Sequence, residues 1–380
     1  MDMISELPDS ILLHILDLME PKQAVQTCLL SKRWKNLCKQ LTNLTFTFSP
    51  DPTPNYLVPW IRSVKSFENF TSWILYTRDH SCSLHNLCFH TCTDPELSDS
   101  LVKYAVLHDI RHLEIRILSC YRFTTVCTPL LFSSHSLTSL SLCIYHGWNP
   151  SRIILPKTLH LPSIKRLHLD GFTFTASDNH SAEPFSMCRV LHNLELQYCE
   201  LHDDAQVLCI SNSTLSGLTI IGQEAPLIVF STPSLSSLTF QGSDHHDQLL
   251  STCNLPSLGE VNIDVNIDFN GRNPFIMKWL QMLSNVKILT LYSCAFKLIH
   301  DLSNLISMRP QPPRFARLET LNVPKLYSEK YIEEISTVVD YLLQNSPLAK
   351  VDIKVISGSQ DLMRHHLTYR DKRENFKYAG

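Results

Sequence analysis

One six-position pattern recurs along most of the chain and restricts its fold more than any other feature. It consists of an apolar residue, two unrestricted residues, an apolar residue, one unrestricted residue and a last apolar residue, as in "LHNLCF" at 84–89. A further copy, "LTNLTF" at 41–46, stands apart ahead of a proline-rich segment. Eleven other copies follow one another at intervals of 20 to 32 residues. They start at Leu84, Ile110, Leu137, Ile164, Leu191, Leu215, Leu235, Leu258, Val286, Leu318 and Leu348.

This period and pattern are typical of leucine-rich repeats. The alternating apolar residues that end each copy share one face of a short strand, and stacked copies form a parallel sheet. Each copy buries its leucines only against its neighbours, so the array needs capping elements at its ends. The sequence therefore predicts an α/β solenoid with a curved parallel sheet and outer helices.

The segments between copies carry helix signals. Asp94 precedes the helical pattern of "PELSDSLVKYAVL", Asn273 precedes "PFIMKWLQM", and Ser328 precedes "EKYIEEISTVVDYLL". Each can act as an N-cap, because its side chain can accept a hydrogen bond from the first turn. Between residues 214 and 260 the copies are closely spaced, so irregular or short helical turns are expected there.

Composition excludes several classes of protein. The chain is 44% hydrophobic with a formal net charge of −3, which argues against disorder and against a general attraction to nucleic acid. Only 9 glycines occur, which disfavours glycine-rich phosphate loops. No apolar run is long enough for a membrane span, and the N-terminal residues do not resemble a secretory signal. The 13 cysteines are therefore expected to be mostly free buried thiols of a reducing compartment.

The opening stretch "ELPDSILLHILDLMEPKQAVQTCLLSKRWKNL" at 6–37 follows a different pattern. Pro8 suits the start of a first helix, a second begins near Lys22, and Ser31 can cap a third. Three short helices of this size cannot cover all of these apolar side chains among themselves, because isolated domains of about 40 residues are marginal. Part of the apolar surface is therefore expected to meet a partner.

These residues resemble a known family. "LPDSILLHIL … AVQTCLLSKRWKNL" is similar to an F-box, and "LSKRW" followed by "NLCKQLTNLTF" is similar to plant F-box proteins. "FARLETLNV … VVDYLLQNSPLAKVDI" resembles the C-terminal segment of plant F-box/FBD/leucine-rich-repeat proteins. The resemblance implies a three-helix F-box followed by a leucine-rich-repeat solenoid.

The resemblance also implies a function. Such a protein is a non-catalytic substrate receptor of a Skp–cullin–F-box ubiquitin ligase, located in the cytoplasm and/or the nucleus. Its F-box binds a Skp-type adaptor and through it a cullin, while its repeats bind a target protein. A leucine-rich-repeat scaffold with a degenerate F-box is the alternative. The adaptor-binding residues carried over from the motif are Leu7, Pro8, Ile11, Leu12, Ile15, Leu16, Val25, Leu29, Leu30, Arg33 and Trp34.

The resemblance and the repeat spacing together predict five segments. They are the F-box at 1–45, a connector and first helix of the repeat region at 46–80, leucine-rich repeats at 81–310, FBD-like repeats with a capping helix at 311–356, and a polar basic tail at 357–380.

Other functions are less well supported by the sequence. Lys32, Arg33, Lys35 and Lys39 could decorate a DNA-reading helix, but acidic residues surround them and no further basic stripe follows. A solvated helix face is the favoured interpretation of these residues. No nucleic-acid or membrane partner is predicted, whereas a small-molecule pocket of the kind found in hormone-sensing relatives stays open.

Residue spacing in the chain matches no metal-binding or catalytic motif. "HSCSLHNLCFHTC" at 80–92 is rich in histidine and cysteine, yet the chain has no C-x-x-C and the spacing fits no zinc motif. No G-x-S-x-G, phosphate-binding loop or H-E-x-x-H occurs. The sequence therefore predicts no cofactor, no metal site and no catalytic residues.

The residues between the apolar positions of each copy should face the open side of the sheet. Charged and polar side chains recur there in three copies, and a solvated sheet face would show the same pattern. The candidate target-binding residues are His112, Glu114, Arg116, Arg166, His168, Asp170, Asn193, Glu195 and Gln197.

Overall fold

The computed structural model divides the chain into two compact units, Met1–Phe172 and Thr173–Gly380. The described residues are 4, 6–48, 57–91, 95–119, 130–146, 153–222, 227–243, 249–250, 255–266, 275–292, 295–296, 299–300, 311–325, 332–346 and 349–355. Outside them lie the predicted caps Asp94, Asn273 and Ser328 and the tail from residue 356 onward. The five predicted segment boundaries stay predictions.

The first unit begins with helices and continues as strands that alternate with longer helices. Its helices are α1 (Asp9–Asp17), α2 (Pro21–Gln26), α3 (Lys32–Cys38), α4 (Leu57–Thr77) and α5 (Pro95–Leu107). Its strands are β1 (Asn43–Thr47), β2 (Asn86–Thr91), β3 (His112–Ser119), β4 (Ser139–His146), β5 (Ile153–Ile154) and β6 (Arg166–Asp170).

A parallel sheet in the order β1-β2-β3-β4-β6 forms the body of this unit. Its register aligns the apolar positions of successive copies, so that Leu44, Leu87 and Leu113 are direct neighbours. These leucines are almost completely buried. On the same buried side Phe67 of α4 stacks on Phe89 of β2, with ring centroids 5.9 Å apart, so α4 covers the apolar face of the sheet.

The second unit contains mainly strands. They are β7 (Phe172–Phe174), which starts at the last residue of the first unit, β8 (Ser181–Ala182), β9 (Asn193–Gln197), β10 (Glu200–Leu201), β11 (Val207–Ser211), β12 (Gly217–Ile221), β13 (Leu227–Ser231), β14 (Ser237–Ser243), β15 (Leu249–Leu250), β16 (Glu260–Asn266), β17 (Ile288–Leu291), β18 (Thr320–Lys325) and β19 (Lys350–Val355). Its described helices include α6 (Phe275–Met282) and α7 (Ile332–Leu343).

The main sheet of the second unit is also parallel, in the order β9-β12-β14-β16-β17-β18-β19. In both units every main strand begins at the third position of one copy of the pattern, as the sequence predicts. The copy at 41–46 is separated from the others along the sequence but joins the same sheet. It supplies β1, which pairs directly with β2, because α4 lies in the intervening segment and returns the chain to the sheet edge.

A second sheet replaces the helical turns that were expected between residues 214 and 260. The strands β8, β11, β13 and β15 pair in parallel, and Ile228 and Phe230 of β13 are buried. Here each connection is too short for a full helix, and its alternating apolar residues suit a strand. The expectation of irregular or short helical turns was therefore wrong for the described part of this segment.

The eight described cysteines form no disulfide bonds. Cys38, Cys188 and Cys199 are buried, whereas the other five are half-buried. The expectation that most cysteine thiols are buried is thus met by only three of the eight described cysteines. Within the same described residues, every helix is too short or too polar to cross a membrane.

Candidate functional sites

The three N-terminal helices form a small core of their own. Leu12 and Leu16 of α1 are buried, as are Trp34 and Leu37 of α3. The hydroxyl of Ser31 accepts a hydrogen bond from the Trp34 amide at 3.4 Å, which is the predicted N-cap of the third helix. The cap fixes the start of α3 and orients Trp34 toward α1 and α2.

Several large apolar side chains of these helices are exposed. Ile11, Ile15 and Leu18 of α1 are 47%, 38% and 76% exposed, and their spacing places them on one helix face. After α2, Leu29 and Leu30 are 89% and 68% exposed. We call these five residues the apolar helix surface. Single exposed apolar residues are ordinary, but such a set on one short segment is typical of a docking surface.

The predicted adaptor-binding residues fall into three groups of exposure. The exposed and half-buried groups can contact a partner without rearrangement of the helices, whereas the buried group packs within the core. Leu18 was missed by motif matching, although it continues the α1 face. The exposed residues are Pro8, Ile11, Ile15, Leu29 and Leu30, the half-buried ones are Leu7, Val25 and Arg33, and the buried ones are Leu12, Leu16 and Trp34.

Arg33 ties the third helix to the start of the first. Its Nε donates to the Asp9 carboxylate at 2.7 Å, and its Nη2 donates to the Leu7 carbonyl at 2.5 Å. Both contacts lie where the backbone enters α1. Arg33 therefore positions Leu7 and Pro8, whichever partner these residues meet.

Two polar side chains connect the helices to the sheet of the same unit. At the end of α1 the Asp17 carboxylate accepts from the Thr42 amide at 3.0 Å and the Thr42 hydroxyl at 2.7 Å, just before β1. Arg78, only 4% exposed, donates to the carbonyls of Leu41 at 2.9 Å, Cys82 at 2.8 Å and Ser83 at 2.7 Å. A buried guanidinium with several acceptors holds a fixed geometry.

The open face of the first sheet carries rows of polar side chains. Strand register places Cys88, Glu114, Ser141 and His168 in one row on successive strands. The neighbouring row holds His90, Arg116, Cys143 and Asp170. We call these eight residues the first-unit sheet face. Burial alternates along the strands, as the repeat pattern predicts.

One group on this face is tightly connected. His90 Nε2 lies 3.1 Å from Glu114 Oε1 and 3.3 Å from Cys88 Sγ. Arg116 Nε reaches the same Glu114 oxygen at 2.8 Å. Burial raises the pKa of Glu114, but the hydrogen bond from His90 and the charge of Arg116 outweigh it, so the pKa is lowered overall.

A second group lies on the following strands. His168 Nδ1 is 3.1 Å from the Ser141 hydroxyl and 3.8 Å from Cys143 Sγ. Burial, reinforced by the charge of Asp170, raises the pKa of Cys143 to about 12. Burial and the Glu114 charge likewise raise the pKa of Cys88 to about 12. Both thiols stay protonated at neutral pH and are poor nucleophiles.

The structure brings the first-unit candidates for target binding onto one sheet face. His112 and Arg166 belong to a third row, with Ser139 between them. The pKa of His112 is lowered, first by burial and then by the charge of Arg166. All six residues predicted from the first unit are exposed or half-buried on this face: His112, Glu114, Arg116, Arg166, His168 and Asp170.

The candidates of the second unit lie on β9. Asn193 is exposed, while Gln197 Nε2 donates to Glu195 Oε1 at 2.5 Å. Farther along this sheet the same row is lined by hydroxyls and amides, and Asn262 donates to Thr239 at 3.2 Å. Asn322 donates to Thr290 at 3.3 Å. This row is therefore uncharged between Glu195 on β9 and Asp352 on β19.

The basic residues considered for DNA binding do not form a coherent surface. Lys32, Lys35 and Lys39 are exposed on α3, whereas Arg33 is bound to Asp9. The predicted solvated helix face describes the three lysines adequately.

Comparisons with known proteins agree with the resemblance of the opening stretch. A family model described as F-box domain matches residues 4–46. An F-box/FBD/LRR-repeat protein of Arabidopsis thaliana is 28% identical over 357 residues, which cover 85% of this chain and 71% of that protein. A putative F-box protein of the same plant is 28% identical over 289 residues, covering 70% of this chain and 55% of the relative.

A putative F-box/FBD/LRR-repeat protein, also from Arabidopsis thaliana, is 26% identical over 343 residues. That alignment covers 85% of this chain and 66% of the relative. The chain thus spans between about half and three quarters of the length of these relatives.

Proposed function

We propose that the chain is a member of the plant F-box/leucine-rich-repeat family, as its F-box match and its relatives support, and that it is the substrate-recognition subunit of a Skp–cullin–F-box ubiquitin ligase. Its F-box helices bind a Skp-type adaptor, which links it to a cullin, and its repeats bind a target protein. The chain itself supplies no catalytic group, and it acts in the cytoplasm, the nucleus or both.

The observation that carries this proposal is the apolar helix surface. Ile11, Ile15 and Leu18 project from a helix whose other face, with Leu12 and Leu16, already fills the internal core. Apolar side chains on such a surface gain free energy when a partner removes them from water, at about 25 cal/mol per Å². A Skp-type adaptor is the partner that the F-box domain implies.

The connection between the helices and the sheet suits a receptor. Asp17 and Arg78 bond the helices to the entrances of β1 and β2, so the first-unit sheet face keeps a fixed position relative to the apolar helix surface. A target bound to this face would be held at a defined place relative to the adaptor. The contribution to the reaction is proximity, which raises the effective concentration of target lysines near a partner's reactive group.

Capture by a purified Skp-type adaptor tests the proposal. The wild-type chain should bind the adaptor, and Leu7→Ala combined with Pro8→Ala should weaken binding by about 30-fold or more, since a single interface anchor contributes about 2 kcal/mol. Leu107→Ala is the matched control, because Leu107 is 79% exposed on α5, outside the F-box. It should leave the affinity unchanged.

The scaffold alternative predicts a different result. A degenerate F-box would leave the folded wild-type chain unable to bind any of several Skp-type adaptors, at concentrations where a known F-box protein binds. That outcome would contradict the ligase assignment. Binding that is insensitive to Leu7→Ala with Pro8→Ala would instead contradict the assigned contact residues.

A further inference from the structure

We propose that Cys88, His90 and Glu114 bind a zinc ion on the open face of the first sheet. Their ligand atoms all lie within 4.8 Å of one another. Among the described residues this is the one group of three histidine, cysteine or acidic side chains that converges so closely. It lies outside the apolar helix surface, so it goes beyond the proposed adaptor-binding function.

The backbone places these side chains by regular strand geometry. Cys88 and Glu114 are direct neighbours across the parallel pair β2 and β3. His90 follows Cys88 by two positions and therefore projects from the same face of β2. All three sit on strands whose opposite side is packed in the core by Leu87, Phe89 and other buried residues. A site on such strands is more precisely held than one on a loop.

The distances are those of ligands that share one small ion. In a tetrahedral zinc site with zinc–sulfur and zinc–nitrogen bonds of about 2.3 and 2.0 Å, neighbouring ligand atoms are about 3.3–3.6 Å apart. Here the Cys88 sulfur lies 3.3 Å from His90 Nε2, which lies 3.1 Å from Glu114 Oε1. Shifts of a few tenths of an ångström would bring the three atoms around one ion.

The chemistry of the ligands selects the metal. Zinc binding would release the proton of the Cys88 thiol to solvent. The resulting thiolate, with an imidazole and a carboxylate, suits zinc, whereas magnesium and calcium prefer oxygen ligands alone. Three protein ligands leave a fourth tetrahedral position for water. The side chains of His90 and Glu114 are 30% and 35% exposed, so an ion can enter from solvent.

Arg116 supplies an outer contact for this site. Its guanidinium donates to the Glu114 carboxylate at 2.8 Å, and its own side chain is 53% exposed. Ligating carboxylates are commonly held by such outer hydrogen bonds. In this structure Arg116 and His90 both contact Oε1 of Glu114, so the second carboxylate oxygen, Oε2, would have to take over one of the two contacts when the ion binds.

Metal titration of the purified full chain, stripped with a chelator, tests the proposal. Co²⁺ serves as a spectroscopic probe, since thiolate coordination produces an intense charge-transfer absorption. One equivalent should give this absorption, and Zn²⁺ should displace it. Cys88→Ser should abolish the absorption, and His90→Gln or Glu114→Gln should each weaken Zn²⁺ binding, measured calorimetrically, by about 10-fold or more.

Cys143→Ser is the matched control. Cys143 is also half-buried on this sheet face and has an imidazole nearby, His168, at 3.8 Å. It should leave the metal affinity unchanged, whereas loss of binding would assign the ion to another place. A folded wild-type chain without the charge-transfer absorption would overturn the proposal, whether or not any variant folds. Adaptor capture is measured separately, so failure of either proposal is distinguishable from failure of the other.

Discussion

The apolar helix surface and the first-unit sheet face belong to one compact unit but differ in how their side chains are satisfied. Ile11, Ile15 and Leu18 expose apolar area that has no partner within their own helix. On the sheet face, by contrast, Glu114 is bonded to His90 and Arg116, and His168 to Ser141. The apolar helix surface gains free energy when any apolar partner covers it, whereas the first-unit sheet face must exchange existing hydrogen bonds for new ones.

Because of this difference, the apolar helix surface suits affinity and the first-unit sheet face suits specificity. Burial of apolar area is non-directional and supplies binding energy to a common partner. Polar groups held in fixed rows discriminate, because a ligand that leaves one of them unpaired loses about 1–3 kcal/mol. A receptor that shares an adaptor with other receptors and selects its own target needs one surface of each kind.

The largest effect on both surfaces should come from the residue that supports them together. Arg78→Met removes the bonds to the carbonyls of Leu41, Cys82 and Ser83 and leaves buried acceptors unpaired. Unfolding in urea should show a loss of about 3–5 kcal/mol. A loss below 1 kcal/mol would mean that the helices and the sheet are not coupled through this side chain.

A smaller loss of stability should distinguish the two faces of α1. Leu16→Ala removes a side chain that is 1% exposed and should lower the free energy of unfolding by about 3 kcal/mol through a cavity. Leu18→Ala, two positions away and 76% exposed, is its control and should change stability by less than about 0.5 kcal/mol. Equal losses in thermal melting would contradict the division of α1 into a core face and a docking face.

Arg33→Ala should have an intermediate effect on stability, and its effect on adaptor affinity can be measured separately. The pair with Asp9 is partly exposed, so about 1 kcal/mol of stability is expected to be lost. A double-mutant cycle with Asp9→Asn isolates the coupling between the two side chains. Zero coupling would mean that the bond from Arg33 to the Leu7 carbonyl, and not the ion pair, holds the start of α1.

The smallest effect concerns the pKa of His112, on the open face of the first sheet. His112 has a lowered pKa because it is partly buried and faces Arg166, Arg111 and His85. The folded state therefore binds fewer protons than the unfolded chain just below pH 6.5, and His112 contributes less stability as the pH falls from there. Arg166→Ala should raise the pKa of His112 toward 6.5 in an NMR titration. An unchanged pKa would assign the lowering to burial, Arg111 and His85 without a contribution from Arg166.

Periodicity predicted the strands more accurately than their surroundings. Each copy of the six-position pattern marks a strand start because alternating burial depends only on neighbouring positions. The copy at 41–46 was recognised and a helix was expected after it, but its wider spacing from Leu84 did not show that β1 would pair with β2. The strands β11, β13 and β15 were missed, because short connections with alternating apolar residues form a sheet only when their neighbours do the same.

The candidate sites were predictable to different degrees. Motif matching located the F-box helices, but it could not separate Leu12 and Leu16, which fill the core, from Ile11 and Ile15, which are exposed. That separation depends on how α1 packs against α3. The convergence of Cys88, His90 and Glu114 was not visible in the spacing of one segment, because Glu114 lies on the following strand and strand register brings it close.

The affinity of a Skp-type adaptor for an altered apolar helix surface tests the central claim most directly. Ile11→Glu with Ile15→Lys replaces two exposed residues by an i, i+4 pair in the orientation that stabilises a helix, so the fold and net charge are kept. Calorimetry should show a loss of adaptor affinity of about 100-fold or more. Arg116→Glu, on the sheet face, should leave the affinity within about twofold. Adaptor binding that survives the α1 double variant, or that falls equally with Arg116→Glu, would contradict the assignment of the helices to the adaptor and the sheet face to the target.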